Sequence, residues 1–321
     1  MTNTNGASIT EAAIAGAVSG GITRLVAAPL DLLKIRFQVQ PAPIGNGHVE
    51  ARYLSVAQSV RSIYGEEGLR SFWRGNLAAT VLWVSYSALQ FATYRGLNRW
   101  WEQSEVKDTI NVPKVAVSAT SGAVAGVTAT VLTYPLDFFR TAFAGQGVPK
   151  TFPTMYSLMV HIWTTQGFRG FYSGLGATVV QIAPYIGLTF SIYSCLNEMQ
   201  ESHQKEDETG AWKPVATTLS YIGSGAVAGI VSKLAVYPLD TIKKRMQMRN
   251  VPRCAKYGVI PMYTSSFSCF YDVLRREGML GLYKGTVPGL LKSAVAASTT
   301  FVTYELTLKA MQHMPNKNQQ I

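Results

Sequence analysis

The sequence has little charge for its length. Aspartate, glutamate, lysine and arginine make up only 15% of 321 residues, against 47% hydrophobic residues. Few soluble proteins cover a surface with so little charge. Uninterrupted apolar stretches of twenty residues are also missing, which excludes a single-span anchor. The mean hydropathy, +0.11, leaves room for a bundle of impure membrane helices whose polar residues face a protein interior or a water-filled path. Cysteine is sparse: Cys195, Cys254 and Cys269 form no CxxC pair and no metal-ligand spacing, and read as free thiols. No Walker or Rossmann glycine pattern opens a helix, and His48, His161, His203 and His313 have no catalytic company. These gaps argue against an enzyme and against a metal or cofactor site. Met1 to Thr10 has neither a basic and apolar signal pattern nor early arginines, so any membrane address is read as internal.

The charge that is present leans one way, to a net +11. Such a balance suits nucleic acid, anionic lipid or an anionic ligand. The basic residues do not gather in one tail or one aromatic-interleaved patch, so nucleic acid is not expected.

Against these absences stands a triplication. Pro29-Leu30-Asp31-Leu32-Leu33-Lys34 returns as Pro135-Leu136-Asp137-Phe138-Phe139-Arg140 and as Pro238-Leu239-Asp240-Thr241-Ile242-Lys243, at spacings of 106 and 103 residues. Each lies in a long apolar segment, where proline kinks a helix. Acid and base are three apart and share a helix face. Three such helices would set three acids and three bases in a ring. A second echo follows each tract: Glu67 to Gly75, Gln166 to Gly174 and Glu277 to Gly285. Small-residue faces, Gly16-xxx-Gly20, Gly122-xxx-Gly126 and Gly225-xxx-Gly229, suit close helix contact. Each unit reads as long helix, loop with a short helix, long helix. The expected short helices are 52–66, 154–165 and 264–276. The expectation is an all-α membrane protein with six transmembrane helices in three pseudo-symmetric repeats, 10–101, 113–200 and 213–312, with a polar tail at 313–321. Loops within units are basic and those between units acidic, which places the former on one side of the membrane and both termini on the other.

The triplicated Pro-x-Asp-x-x-(Lys/Arg) with its Gly-rich echo resembles the mitochondrial carrier family of inner-membrane solute transporters, over about residues 10–312. That resemblance implies a six-helix barrel around a central cavity that opens alternately to each side. It implies a monomer among lipids, with cardiolipin at the matrix-side helix ends. The proline tracts would form the matrix gate, pairing Asp31 with Arg140, Asp137 with Lys243 and Asp240 with Lys34. Gln38 and Gln247 match the family's glutamine braces, whereas the second unit has Ala144 there. It also has Ala142 where Arg36 and Arg245 stand, and Gln166 and Ser173 where the echo wants an acid and a base. Unit two is thus expected to be the weak corner of the matrix side. At the opposite gate the family's aromatic-acid-x-x-base pattern is reduced to Tyr94, Tyr193, Tyr304 and Glu305, so that gate is expected to close by tyrosine and apolar packing rather than ion pairs.

The same symmetry locates a substrate site. Five residues before the prolines stand Arg24, Thr130 and Lys233; seven after the echo glycines stand Leu82, Gln181 and Lys292. Arg24, Lys233 and Lys292 are cations at membrane depth with no acid near them in sequence, the positions expected to grip phosphate oxygens. Gly187-Leu188 falls where the family reads substrate type, and a glycine–aliphatic pair there goes with nucleotide-like substrates. Gln181 suits an aminopyrimidine edge, and Trp83, Tyr86 and Tyr185 suit ring stacking or a cation–π contact. Lys34 to Gln38, Phe143 to Lys150, Pro184 to Ser191 and Val231 to Lys233 point within the family toward carriage of thiamine pyrophosphate, as substrate rather than cofactor, in exchange for nucleotides. Nucleotides, deoxynucleotides and coenzyme A fit the same inventory, and a non-transporting scaffold on the same fold is the alternative of another class.

Overall fold

The computed structural model describes residues 9–41, 52–104, 114–204, 213–254, 257 and 260–312. The expected tail at 313–321 and most of the acidic inter-unit loops lie outside the described residues. Among the described residues there is no strand. Among the described residues, six long helices, α1 (Ile9–Gln38), α3 (Asn76–Gln103), α4 (Lys114–Gly145), α6 (Leu175–Gln204), α7 (Lys213–Met248) and α9 (Thr286–Gln312), enclose in successive pairs three short ones, α2 (Val56–Glu67), α5 (Met155–Gln166) and α8 (Ser266–Leu282). The sequence placed the ends of the short helices within six residues of these bounds. It did not foresee the 3-10 turns Leu69–Trp73 and Phe168–Tyr172 inside the echoes. In α8 the same turn follows Gly278, whose φ of 70° breaks the helix.

Contacts close the long helices into a ring in the order α1, α3, α4, α6, α7, α9 and back to α1, with α1, α4 and α7 also touching one another. This is the barrel that the family resemblance implies. Three stretches, Val117–Gly145, Phe168–Met199 and Gly223–Met248, are long and apolar enough to cross a membrane by length and composition. The other long helices have the length, about 40 Å or more at 1.5 Å per residue. Their composition is more polar, α1 carrying Arg24, Asp31, Lys34 and Arg36, and α9 carrying Lys292, Glu305 and Lys309.

Local chemistry explains each boundary. The short helices begin at Ser55, Thr154 and Ser265, whose hydroxyls accept from the amides of Gln58, Ser157 and Ser268. The second long helix of each unit starts at Gly75, Gly174 or Gly285, all at positive φ. Crowding also reserves these positions for glycine. A Cβ on Gly75 would stand 2.8 Å from the Arg140 carbonyl oxygen, one on Gly174 3.0 Å from that of Lys243, and one on Gly285 2.8 Å from that of Lys34. Each unit thus presses its echo glycine against the basic turn of the next. The proline kinks are served too. Pro29 frees the Leu25 carbonyl, and the Trp73 indole donates to it at 3.0 Å.

At the end bearing the short helices, buried charges tie the units together. Arg36 donates to Glu67 and to the Ala144 and Gln146 carbonyls of the next unit, and Arg74 meets Glu67 at 2.5 Å. Arg245 donates to Glu277 at 2.6 and 2.8 Å and to the Gln38 and Gln40 carbonyls, while Lys284 also pairs with Glu277. Burial pushes the Lys284 ammonium down to about 8. Unit two keeps this junction without charge: Gln166 exchanges hydrogen bonds with Asn250, and Ser173 donates to the Met246 carbonyl at 2.7 Å. The corner expected to be weak is therefore joined by neutral bonds. Of the cysteines, Cys195 is exposed and Cys269 is buried in the core, where burial pushes its thiol up to about 12.

Cutting a buried ion pair strands its partner, at a cost of about 3–5 kcal/mol, whereas a neutral hydrogen bond contributes about 0.5–1.5 kcal/mol. Glu277→Ala is therefore expected to lower the thermal midpoint of the purified protein much more than Gln166→Ala; equal shifts contradict this account of the two junctions.

Candidate functional site

The three proline tracts meet at one level of the ring. Arg140 donates to Asp31, through Nε at 2.8 Å and through Nη2. Lys243 meets Asp137 at 2.9 Å, and Lys34 meets Asp240 at 2.5 Å. All three expected pairs are formed, each joining one unit to another. Gln38 donates to Asp240 at 3.0 Å and Gln247 to Asp137 at 2.9 Å, as the brace positions require. The third pair, Asp31–Arg140, has Ala144 at the brace position.

The three corners differ in ways the motif does not show. Tyr134 and Tyr237, the residues before Pro135 and Pro238, lay their rings 5.7 and 5.5 Å from the Lys243 and Lys34 ammonium groups. Their hydroxyls donate to the Ser173 and Lys284 carbonyls. Unit one has Ala28 there. Lys244, which sequence reasoning passed over, is buried; it bonds to Asp137 at 3.2 Å, to Thr141 at 2.7 Å and to Gln247 at 3.1 Å. The signal was the basic run Lys243-Lys244-Arg245.

The sequence set Lys292 beside Arg24 and Lys233 as a cation with no acid near it in sequence. The structure brings one from afar: the Lys292 ammonium is bonded to Asp31, which it shares with Arg140. The reason is topological, since α9 closes the ring against α1, 261 residues away in sequence. Lys233 donates to Ser293 on α9 at 2.7 Å. Arg24 lies over the Trp83 ring, 5.5 Å from its centroid. Arg24, Trp83 and Tyr86 line one pocket of about 210 Å³ with Leu82, Thr130, Thr133, Tyr134, Asp137, Thr178 and Lys243. Gln181, Tyr185, Gly187 and Leu188 lie on α6 outside that pocket, Gln181 and Leu188 half-buried and Tyr185 and Gly187 exposed. The floor of the barrel thus carries Asp31, Asp137 and Asp240 against Lys34, Arg140, Lys243, Lys244 and Lys292, an excess of positive charge.

At the opposite end Tyr94, Tyr193 and Tyr304 are half-buried on α3, α6 and α9. Among the described residues no ring contact joins any two of them, and none makes a side-chain hydrogen bond. Glu305 pairs with Lys309 on its own helix at 3.0 Å. The structure closes one end of the barrel and leaves these four residues apart.

Interlocking ion pairs thus join the ring of long helices at one level, with an excess of cations beside them. The model of the mitochondrial carrier protein family matches residues 5–105, 111–204 and 215–315, and the chain belongs to that family. It is 39% identical over 311 residues to mitochondrial thiamine diphosphate carrier 1 of Zea mays, covering 91% of both chains. It is 38% identical to mitochondrial thiamine diphosphate carrier 1 of Arabidopsis thaliana, covering 92% of both. With the mitochondrial thiamine pyrophosphate carrier of Bos taurus it shares 36% identity, covering 95% of this chain and 93% of the other.

A double-mutant cycle tests the unexpected pair. Neighbours in one ion-pair network show interaction energies of about 0.5–3 kcal/mol. Asp31→Asn and Lys292→Gln are expected to be non-additive in thermal stability by that amount; additive shifts mean that the two do not meet.

Proposed function

We propose that this chain is a mitochondrial inner-membrane transporter that imports thiamine pyrophosphate into the matrix by alternating access, in exchange for nucleotides. The observation that carries the reading is the surplus of cations at the barrel floor. Buried charges in a membrane protein are costly and are kept where they serve a solute path, and five bases against three acids leave charge for a polyphosphate to neutralise. Lys and Arg hold phosphate oxygens by charge-assisted hydrogen bonds. The names of the relatives from maize, Arabidopsis and cattle favour thiamine pyrophosphate among the anions this chemistry admits.

In this reading the ion-pair ring around Asp31, Asp137 and Asp240 is the matrix gate, and the short helices lie on the matrix side. The tyrosines and Glu305 belong to the cytoplasmic gate, and both termini face the intermembrane space. The transport unit is one chain of three repeats, 10–101, 113–200 and 213–312, seated in lipid with cardiolipin at the matrix-side helix ends. It carries its substrate unchanged. Lys233, Lys292 and Arg24 belong to the substrate site together with Gln181, Tyr185, Gly187 and Leu188 of α6. Lys292 serves in two places: on Asp31 when the matrix gate is shut, and on a phosphate oxygen when substrate arrives.

Purified protein in liposomes loaded with nucleotide is expected to take up labelled thiamine pyrophosphate and not thiamine, and Lys233→Ala is expected to cut uptake by about tenfold or more, the size of one charge-assisted contact. Uptake of nucleotides or coenzyme A in place of thiamine pyrophosphate moves the substrate within the phosphorylated class. No uptake of any phosphorylated compound overturns carriage.

A further inference from the structure

The pocket at Trp83 is built differently from the rest of the barrel floor. Its walls come mostly from α1, α3 and α4, with Thr178 of α6 and Lys243 of α7 completing them, and the two aromatic side chains of α3 are seated on glycines of the helices either side. A Cβ on Gly20 of α1 would stand 3.3 Å from two atoms of the Trp83 indole, and one on Gly126 of α4 3.7 Å from the Tyr86 hydroxyl. The small residues that sequence reasoning assigned to helix packing therefore hold an aromatic pair in place. Arg24, expected to grip phosphate, has its guanidinium over the indole instead. An incoming ring meets an indole face and a guanidinium plane, and both are stacking surfaces for heteroaromatic rings.

Deeper in the pocket, Thr130 and Thr133 donate their hydroxyl protons to the Gly126 and Ala129 carbonyls at 2.7 Å each. Their hydroxyl oxygens are left as acceptors, suited to an amino group on a ring. Arg24 and Lys243 outweigh Asp137 among the lining charges, which disfavours a cationic ring. The volume, about 210 Å³, is below the roughly 300–1,000 Å³ of pockets that take a whole small molecule, and fits one ring with its substituents.

Resting on the carriage reading above, we propose that this pocket is the subsite for the neutral, amino-substituted heteroaromatic ring of the substrate, stacked on Trp83. The phosphate end then reaches across the barrel to Lys233 and Lys292 on α7 and α9. Specificity for the ring lies with Trp83, Tyr86 and the two threonines, and affinity for the phosphates lies with the opposite wall.

The test measures equilibrium binding of thiamine pyrophosphate and of inorganic pyrophosphate to the full purified chain. Trp83→Leu is expected to weaken thiamine pyrophosphate by about tenfold or more, the effect of losing one ring-on-aromatic stack, while pyrophosphate affinity stays within about twofold. Trp83→Phe, which keeps a stacking face, is expected to lose less. Retained pyrophosphate binding also shows that the variant is folded. Equal losses for both ligands, or unchanged thiamine pyrophosphate affinity in Trp83→Leu, overturn the subsite and leave carriage standing. A wild-type protein that binds no thiamine pyrophosphate overturns carriage, and the subsite with it.

Discussion

Three carboxylates, each shared between two proline-kinked helices, hold the molecule in the form described. Asp31, Asp137 and Asp240 lie on α1, α4 and α7, and each takes its main cation from a neighbouring unit. Because every bond of the ring joins two repeats, no repeat can tilt at this level without parting two of them. The echo glycines add a second constraint at the same level. They let Gly75, Gly174 and Gly285 lie against the basic turns that carry Arg140, Lys243 and Lys34. Electrostatic closure and close backbone packing therefore act on the same residues. A charged ring within a low-dielectric layer is stable only while every member is paired, so the lock is strong when shut and sensitive to any ligand that competes for its charges.

The ring is threefold in topology and asymmetric in strength. The Asp137 corner has a glutamine brace, a tyrosine and the extra cation Lys244. The Asp240 corner has a glutamine and a tyrosine. The Asp31 corner has neither, and leans on Lys292 from outside the proline tracts. The Trp83 pocket adjoins the Asp137 corner instead, with Tyr134, Asp137 and Lys243 in its lining. An off-axis substrate needs such asymmetry, since a molecule with one ring and one polyanionic end cannot contact three equivalent walls.

Much of this was legible in the sequence, for definite reasons. A ring of three acids and three bases follows from a motif repeated at near-constant spacing, because equivalent positions on equivalent helices lie at equivalent heights; which acid meets which base is what the family resemblance implies. Gln38 and Gln247, one turn below their bases, came from the same resemblance. What escaped was set by contacts between distant segments. Nothing near Lys292 in sequence announces Asp31, and nothing near Leu25 announces that the Trp73 indole will take its carbonyl. Arg24 was read as a grip for phosphate and not as a stacked cation, because an aromatic residue 59 positions away leaves no charge pattern. The limits of symmetry show in α6: Gln181 matches Lys292 by position, yet it lies outside the pocket at Trp83, and the four α6 residues are joined to the site by the carriage reading alone.

The central claim is that this ring is a gate that substrate opens. Its most direct test is the distance between spin labels at Lys150 and Met262, exposed positions beyond α4 and α7 at the short-helix end, in protein without its three native cysteines. With saturating thiamine pyrophosphate in a lipid bilayer, a second and longer distance population is expected beside the one seen without ligand. A single distribution that stays unchanged at saturation contradicts the gate.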